Sequence, residues 1–193
     1  MKLRVHDNSY GKLYGLFRVF FPSYKQKLLR LTFPLVIKDK DINLDSKDAT
    51  LVVWIEGLER DCGGATAPFI KNNTVFMRLS RRQSLSSLLK SFSHEMVHVR
   101  QILDKQLAQD ENNVMWKGEK MSKNKVRAAV ELASCGGALG IKSALGPYEN
   151  LPWEKEAYEL GPQIYKRIKQ HLATIAVRVA LNQGIESDGR EAD

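Results

Sequence analysis

Residues 84–103 read SLSSLLKSFSHEMVHVRQIL and carry the most regular hydrophobic pattern in the chain. Their apolar residues recur at steps of three and four, as one face of an amphipathic α-helix requires. This apolar stripe consists of Leu85, Leu88, Leu89, Phe92, Met96, Val99 and Leu103. The stretch therefore predicts a helix that packs one side on a hydrophobic core.

The same stretch contains the motif H-E-x-x-H at His94, Glu95 and His98. Each residue of a helix advances about 100°, so the two histidines lie one turn apart on the face opposite the apolar stripe. Neutral imidazoles at this spacing can hold one Zn²⁺ ion and leave a coordination position for water. The ion lowers the pKa of that water toward about 7, and a carboxylate beside the water can accept its proton. Glu95 is therefore expected to be the general base rather than a ligand. The alternative is a pair of surface histidines on a solvated helix face.

A catalytic site of this kind needs a third protein ligand, and residues 151–158, LPWEKEAY, offer the better candidates. They open a predicted helix, where the helix dipole favours a carboxylate. Glu154 and Glu156 are two positions apart and cannot both face one metal from a regular helix. His6 and His171 are candidates by residue type alone.

At these residues the sequence resembles the gluzincin-type zinc metallopeptidases, in which H-E-x-x-H is followed by a helix bearing E-x-x-A and a polar or aromatic residue. The segments SHEMVHVRQ (93–101), WKG (116–118) and YENLPWEKEAY (148–158) together resemble small uncharacterised metallopeptidases, many of them encoded by bacteriophages. The resemblance covers roughly residues 74–160 and includes an insertion-like stretch, residues 119–147.

The resemblance implies a protease that uses one Zn²⁺ ion and acts on a protein or peptide substrate. The implied site consists of the metal ligands His94, His98 and Glu154 and the general base Glu95. Glu156 is then a partner of a histidine or simply exposed. An additional oxyanion donor is usual in such sites, and Tyr148 and Tyr158 are the candidates, with core packing as the alternative for each.

The predicted fold class is α+β and zincin-like, with a small mixed sheet, an active-site helix and a C-terminal helical lobe that supplies Glu154. Segments with strand composition are residues 31–38, 50–55 and 74–79. The last of these leads into the metal helix and is predicted to be the sheet edge along the cleft, where a substrate peptide can add through backbone hydrogen bonds. Residues 61–68 and 109–127 are loop-like by composition, and helices are predicted over residues 126–145 and 152–182.

Length and composition fit one compact domain, because 193 residues with 43% hydrophobic content can bury a real core. We expect a single metallopeptidase-like domain over residues 1–183, with residues 1–45 as a basic N-terminal extension or first sub-lobe, and a flexible tail over residues 184–193. No apolar run reaches the roughly 18 residues of a membrane span, and no signal peptide is recognisable. A cytoplasmic location is therefore expected, in a host cytoplasm or a virion if the protein is encoded by a phage.

Positive charge is concentrated at the start of the chain, where residues 1–40 hold nine Lys and Arg against two Asp. Aromatic and apolar residues are interleaved there at helical steps: Tyr10, Leu13, Phe17, Phe20 and Tyr24. This region is either a basic arm for an acidic partner, such as nucleic acid, a membrane surface or a protein, or a first helix packed on the core. It also supports two other functions: a phage structural or host-interaction protein that retains a metallopeptidase scaffold, and nucleic-acid binding.

Overall fold

The computed structural model describes residues 1–7, 23–58, 63–134 and 148–188, and within these ranges the protein is α+β, as predicted. The helices are α1 (Tyr24–Ile37), α2 (Leu85–Leu103), α3 (Lys123–Ser134) and α4 (Pro152–Asp188), with a short 3-10 helix at Tyr148–Asn150. The strands are β1 (Lys2–Asp7), β2 (Thr50–Glu56), β3 (Gly64–Thr66), β4 (Thr74–Ser80), β5 (Leu107–Gln109), β6 (Asn113–Trp116) and β7 (Glu119–Ser122). Most of the predicted N-terminal aromatic stripe lies outside the described residues.

The main sheet has the strand order β1-β2-β4-β3 and is small and mixed, as predicted. Strands β1, β2 and β4 are parallel, whereas β3 is antiparallel to β4. Alternate side chains of β2 and β4 point to one face and are fully buried beside helices α1 and α2: Leu51, Val53, Ile55, Val75, Met77 and Leu79. Helix α2 therefore rests on a rigid apolar layer.

Strand β4 does not form the sheet edge that the sequence predicted. The edge on that side is β3, which lies within residues 61–68, a stretch predicted to be a loop. Three residues, Gly64, Ala65 and Thr66, are too few to show strand periodicity, so composition alone indicated a loop. The edge along α2 is consequently β3 rather than β4.

Of residues 31–38, which were predicted as a strand, residues 31–37 belong to helix α1 instead. Ser23 and Gln26 form a capping box, in which each side chain accepts a hydrogen bond from the other residue's backbone N–H at 3.2 Å. Leu29, Phe33 and Val36 then follow at helical spacing and are buried. The cap and the core contacts outweigh the local strand propensity of the β-branched residues. Strand β1, which pairs with β2, was not predicted.

The C-terminal half also departs from the prediction. Residues 107–122, most of them in the predicted loop 109–127, form an antiparallel meander of β5, β6 and β7. Its second hairpin turns at Lys117 and Gly118, which both have positive φ values of 48° and 91°. A two-residue turn of this kind is typical of a β-hairpin, but the polar composition of the stretch indicated a loop.

Two predicted helices are present with different ends. Helix α3 begins at Lys123 rather than at residue 126, and its predicted continuation past Ser134 lies outside the described residues. Helix α4 begins at Pro152, as predicted, and extends to Asp188 rather than ending at residue 182. Among the described residues, no helix has both the length and the apolarity that crossing a membrane requires.

An ion-pair cluster ties α4 to the loop after α1. Arg167 contacts both carboxylate oxygens of Asp39 at 2.7 Å and one oxygen of Asp41 at 2.5 Å. Burial by itself raises the pKa of Asp39, but the hydrogen bonds from Arg167 and from the backbone N–H of Asp41 outweigh it and hold this pKa below its usual value of 3.8.

Replacing Arg167 with Met is expected to lower the free energy of unfolding at pH 7 by about 1–2 kcal/mol, because Asp39 then loses its charged partner. The folded-state pKa of Asp39 lies below the unfolded value, so this stabilisation is complete above about pH 4 and is lost as the pH falls further. Urea unfolding should therefore show a smaller difference between wild type and Arg167→Met at pH 3 than at pH 7. The exposed neighbour Lys169, changed to Met, serves as the control, with an expected effect within about 0.5 kcal/mol. A difference that does not vary with pH would contradict the ion-pair account.

Candidate metal centre

Helices α2 and α4 bring the predicted ligands His94, His98 and Glu154 together. Helix α2 begins after Ser84, whose hydroxyl accepts a hydrogen bond from the backbone N–H three residues later. The two helices approach closely at Gly161, where an added β-carbon would lie 3.1 Å from the Cα of His94. Because this position lacks a side chain, the first turns of α4 can reach the histidines.

The donor atoms of the three side chains converge on one point. Nε2 of His94 lies 3.2 Å from Nε2 of His98, and these nitrogen atoms lie 3.3 and 3.4 Å from different oxygens of the Glu154 carboxylate. One potential ligand atom from each of the three residues lies within 4.8 Å of the other two. His98 and Glu154 are buried, and His94 is partly exposed. The group could hold a metal ion with one side open to solvent.

The hydrogen bonds of His98 turn a lone pair toward this point. The side-chain NH₂ of Gln101 donates to the backbone oxygen of Trp153 at 3.1 Å and to Glu156 at 2.7 Å, which directs its amide oxygen at Nδ1 of His98, 2.8 Å away. Nδ1 must therefore be the donor, so neutral His98 has its lone pair on Nε2. That lone pair faces His94 and Glu154.

The electrostatics of the group favour a positive charge at its centre. Burial alone would raise the pKa of Glu154, but the contacts with His94 and His98 outweigh it and lower this pKa to about 2. Burial alone would lower the pKa of His98, but Glu154 and Glu95 outweigh it and raise this pKa to about 9. In addition, Oε2 of Glu154 is buried without a hydrogen bond of normal geometry from the described residues. Electron-rich atoms in such proximity need a cation between them, and either protons or a metal ion can fill this role.

Glu156, the rival candidate for the third ligand, points away from this centre. Its carboxylate accepts the hydrogen bond from Gln101 and pairs with Arg100 at 3.0 Å, and Lys117 lies 3.8 Å away. Glu156 is linked to His98 only indirectly, through the side chain of Gln101, among the described contacts.

Glu95 is buried on α2 and contacts the edge strand β3. The hydroxyl of Thr66 donates a hydrogen bond to Oε2 of Glu95 at 2.8 Å. Gly64 allows the strand to come this close, since an added β-carbon there would lie 2.9 Å from Cγ of Glu95. Burial raises the pKa of Glu95, although the nearby histidines oppose this effect. A carboxylate with a raised pKa accepts a proton more readily than an ordinary glutamate.

The two predicted tyrosines occupy different positions. The hydroxyl of Tyr148 donates a hydrogen bond to Oε1 of Glu154, so this residue orients the ligand carboxylate. The ring of Tyr158 packs edge-on against His94, with 4.8 Å between the ring centroids, and half of its surface is exposed. Burial and then the Glu154 charge raise the pKa of both hydroxyls, so both remain protonated donors at neutral pH.

The other candidate residues lie elsewhere. His6 stacks on Trp54, and His171 is exposed on α4. Asp104, six residues after His98 in the sequence, pairs with Lys47 at 2.8 Å. The tryptophans Trp116 and Trp153 pack against each other in the core.

Sequence reasoning missed two polar residues of the site, Gln101 and Thr66, and the helix contact at Gly161. Gln101 follows His98 by three residues, so a helical reading could have placed both on one face. Thr66 and Gly161 gave no such signal, because their roles depend on where β3 and α4 pack.

Comparison of the chain with protein-family models, with curated proteins and with solved structures gives no match. The geometry of the site therefore carries the functional argument.

Removing a predicted ligand is expected to weaken metal binding strongly. His94→Ala and Glu154→Gln should each weaken the affinity for Zn²⁺, used as the probe ion, by more than about 100-fold, whereas Glu156→Ala should still bind one ion per chain. Competition with a chromophoric chelator measures the affinity, and elemental analysis measures the stoichiometry. His171→Ala removes a histidine outside the site and is the control. Loss of the ion in Glu156→Ala together with retention in Glu154→Gln would reassign the third ligand.

Gln101→Met should weaken Zn²⁺ affinity by about 10–100-fold while all three ligands remain, because the outer partner that sets the tautomer of His98 is lost. The same competition assay measures this effect, and circular dichroism checks that α2 is intact. Gln163→Met, an exposed substitution on α4, is the matched control. An affinity equal to that of wild type would show that Gln101 does not orient the ligand.

Proposed function

We propose that the protein is a zinc-dependent metallopeptidase with a zincin-like arrangement of sheet, active-site helix and C-terminal helix. The observation that carries the proposal is the convergence of His94, His98 and Glu154 beside the buried carboxylate of Glu95. Two helices contribute these side chains, and the edge of the main sheet lies against the same carboxylate.

The donor set and its spacing favour zinc. Two imidazoles and one carboxylate are a common ligand set of catalytic Zn²⁺, whereas Mg²⁺ and Ca²⁺ prefer oxygen ligands. Ligands about 2.0–2.1 Å from a tetrahedral ion are separated from each other by about 3.3 Å. Nε2 of His94 and Nε2 of His98 are 3.2 Å apart, and they lie 3.3 and 3.4 Å from different oxygens of the Glu154 carboxylate. His94, His98 and Glu154 would therefore hold one zinc ion, which would supply an activated water for hydrolysis.

Glu95 is the residue that distinguishes a catalytic site from a structural one. When bound, zinc lowers the pKa of water and polarises a carbonyl group. Glu95 accepts a proton from the attacking water as the new C–O bond forms, and it then donates this proton to the leaving nitrogen as the C–N bond breaks. Thr66 holds one oxygen of Glu95, which restricts how the carboxylate can rotate. A purely structural site has no use for a buried carboxylate at this point.

The edge strand supplies a place for an extended peptide. Among the described strands, β3 is the edge of the main sheet next to β4, and Thr66 on β3 contacts Glu95. A substrate peptide that runs alongside this edge strand passes close to the general base. The half-exposed Tyr158, next to His94, is the candidate donor to the developing oxyanion, whereas Tyr148 is engaged with Glu154.

Glu95→Gln is expected to lower peptide hydrolysis by about 10²–10⁴-fold, because the amide cannot accept the proton of water. Zinc content should remain at one ion per chain, since Glu95 is not a ligand. Cleavage of casein and of a pool of internally quenched peptides, followed by fluorescence, measures the activity, and elemental analysis measures the zinc.

Glu159→Gln changes an exposed glutamate on α4 and should leave the rate unchanged. Removal of zinc with 1,10-phenanthroline should abolish cleavage, and added Zn²⁺ should restore it. Cleavage by Glu95→Gln at the wild-type rate, or a zinc-loaded wild type that cleaves none of these substrates, would count against the proposal.

A further inference from the structure

The solvent side of helix α1 combines basic and apolar residues. This surface, named here the α1 outer face, consists of Tyr24, Lys27, Arg30, Leu31, Pro34 and Lys38, all of which are exposed. Tyr24 is 82% and Leu31 is 55% exposed, although the opposite side of the same helix is buried in the core. Two large apolar side chains in water beside three cations indicate a surface that is covered when it functions.

The electrostatics of this face are one-sided. From Tyr24 to Lys38 the sequence contains four Lys and Arg and no Asp or Glu. The ammonium group of Lys25 donates to the backbone oxygen of Arg81, so the exposed side chains of Arg81 and Arg82 add positive charge near the first turn. Asp45 contacts Lys38 at 3.9 Å with both side chains largely exposed, which is a weak pair.

The mixture of residues favours a lipid surface over a nucleic acid. Phosphates of a nucleic acid satisfy Lys27 and Arg30 but give Leu31 and Pro34 nothing apolar to contact. At an anionic bilayer, the apolar side chains enter the boundary of the acyl region while the basic side chains meet the headgroups. Tyr24 suits this boundary because its ring is apolar and its hydroxyl is polar.

The length and position of α1 also fit a planar partner. Its 14 residues extend about 21 Å along the surface of the protein, and the outer-face residues recur on one side over the whole length. In the sequence, residues 11–21, GKLYGLFRVFF, continue the same composition with two basic residues and no acidic one.

We propose that the α1 outer face binds the surface of an anionic lipid bilayer. The face contains none of the residues of the metal centre, so the proposal does not depend on the peptidase function. The proposal gives the basic N-terminal region a function. The sequence offered nucleic acid, a membrane surface or a protein as its acidic partner, and the proposal selects the membrane surface.

Sedimentation of the full chain with vesicles tests this proposal. The vesicles contain phosphatidylcholine alone or phosphatidylcholine with 30% phosphatidylserine, and the salt concentration is varied. We expect binding to the anionic vesicles, with little binding to the neutral ones. Each basic residue near the surface strengthens binding about five-fold, so Lys27→Glu with Arg30→Glu should weaken it by about 25-fold or more. Tyr24→Ser with Leu31→Ser should weaken it by about ten-fold at unchanged charge.

Matched controls separate this face from the overall charge. Lys120→Glu with Lys125→Glu makes the same change in net charge at exposed positions of β7 and α3 and should alter binding less than three-fold. Val177→Ser removes an exposed apolar side chain of α4. Equal circular dichroism and zinc content in all variants show that folding is retained.

Three results would overturn the proposal: no binding to anionic vesicles, equal loss in the control variants, or no effect of Tyr24→Ser with Leu31→Ser. A fourth is tight, salt-sensitive binding of single-stranded DNA or RNA through Lys27 and Arg30 without vesicle binding, which would assign the face to nucleic acid instead.

Discussion

The structure depends on one electrostatic requirement between helices α2 and α4. Two imidazole nitrogens and a carboxylate face each other across 3.2–3.4 Å in a cleft that is largely buried. Such a group is stable only with positive charge at its centre, because desolvated lone pairs repel each other. The surrounding residues strengthen this requirement: Gln101 turns the lone pair of His98 inward, and Tyr148 orients Glu154 without neutralising it. The polar network therefore has the form of a prepared cation site.

The rest of the fold holds the two halves of this site in place. Helix α2 rests on the buried face of the parallel strands, so its histidines project from a fixed base. Helix α4 is held at two levels, by its contact with α2 at Gly161 and by the ion pairs of Arg167 with Asp39 and Asp41. The edge strand β3 closes the third side through Thr66. The carboxylate of Glu95 is thus positioned by α2 and β3, whereas Glu154 comes from α4.

Sequence reasoning succeeded where the information is local. In α2, a single helical period places the apolar stripe and both histidines. Local reasoning left Glu154 and Glu156 as alternatives; the family resemblance favoured Glu154, which is the one that the structure brings to the histidines. Sequence reasoning failed where tertiary packing outweighs local preference. Residues 31–38 are rich in strand-forming side chains, yet a capping box and core contacts hold residues 31–37 in α1. Strand β3 is three residues long, and its place at the sheet edge depends on contacts with α2 that no local pattern records.

Two regions of the protein carry opposite charge: the candidate metal centre is acidic, and the α1 outer face is basic. Around the candidate metal centre, the carboxylates of Glu95 and Glu154 are buried, and Glu156 is linked to His98 through Gln101, so negative charge is concentrated there. Between Tyr24 and Lys38 all charged residues are basic, and on the α1 outer face they stand beside the exposed apolar side chains of Tyr24 and Leu31. Helix α1 packs its opposite side into the core next to α2, so its outer residues do not contribute to the cleft. A change of charge on that face alters the electrostatic potential around the protein, and salt screens this effect beyond about 8–10 Å. The short contacts among His94, His98 and Glu154 are left intact. The two surfaces can consequently be varied independently, since one is governed by contacts of about 3 Å and the other by the summed charge of a helix face.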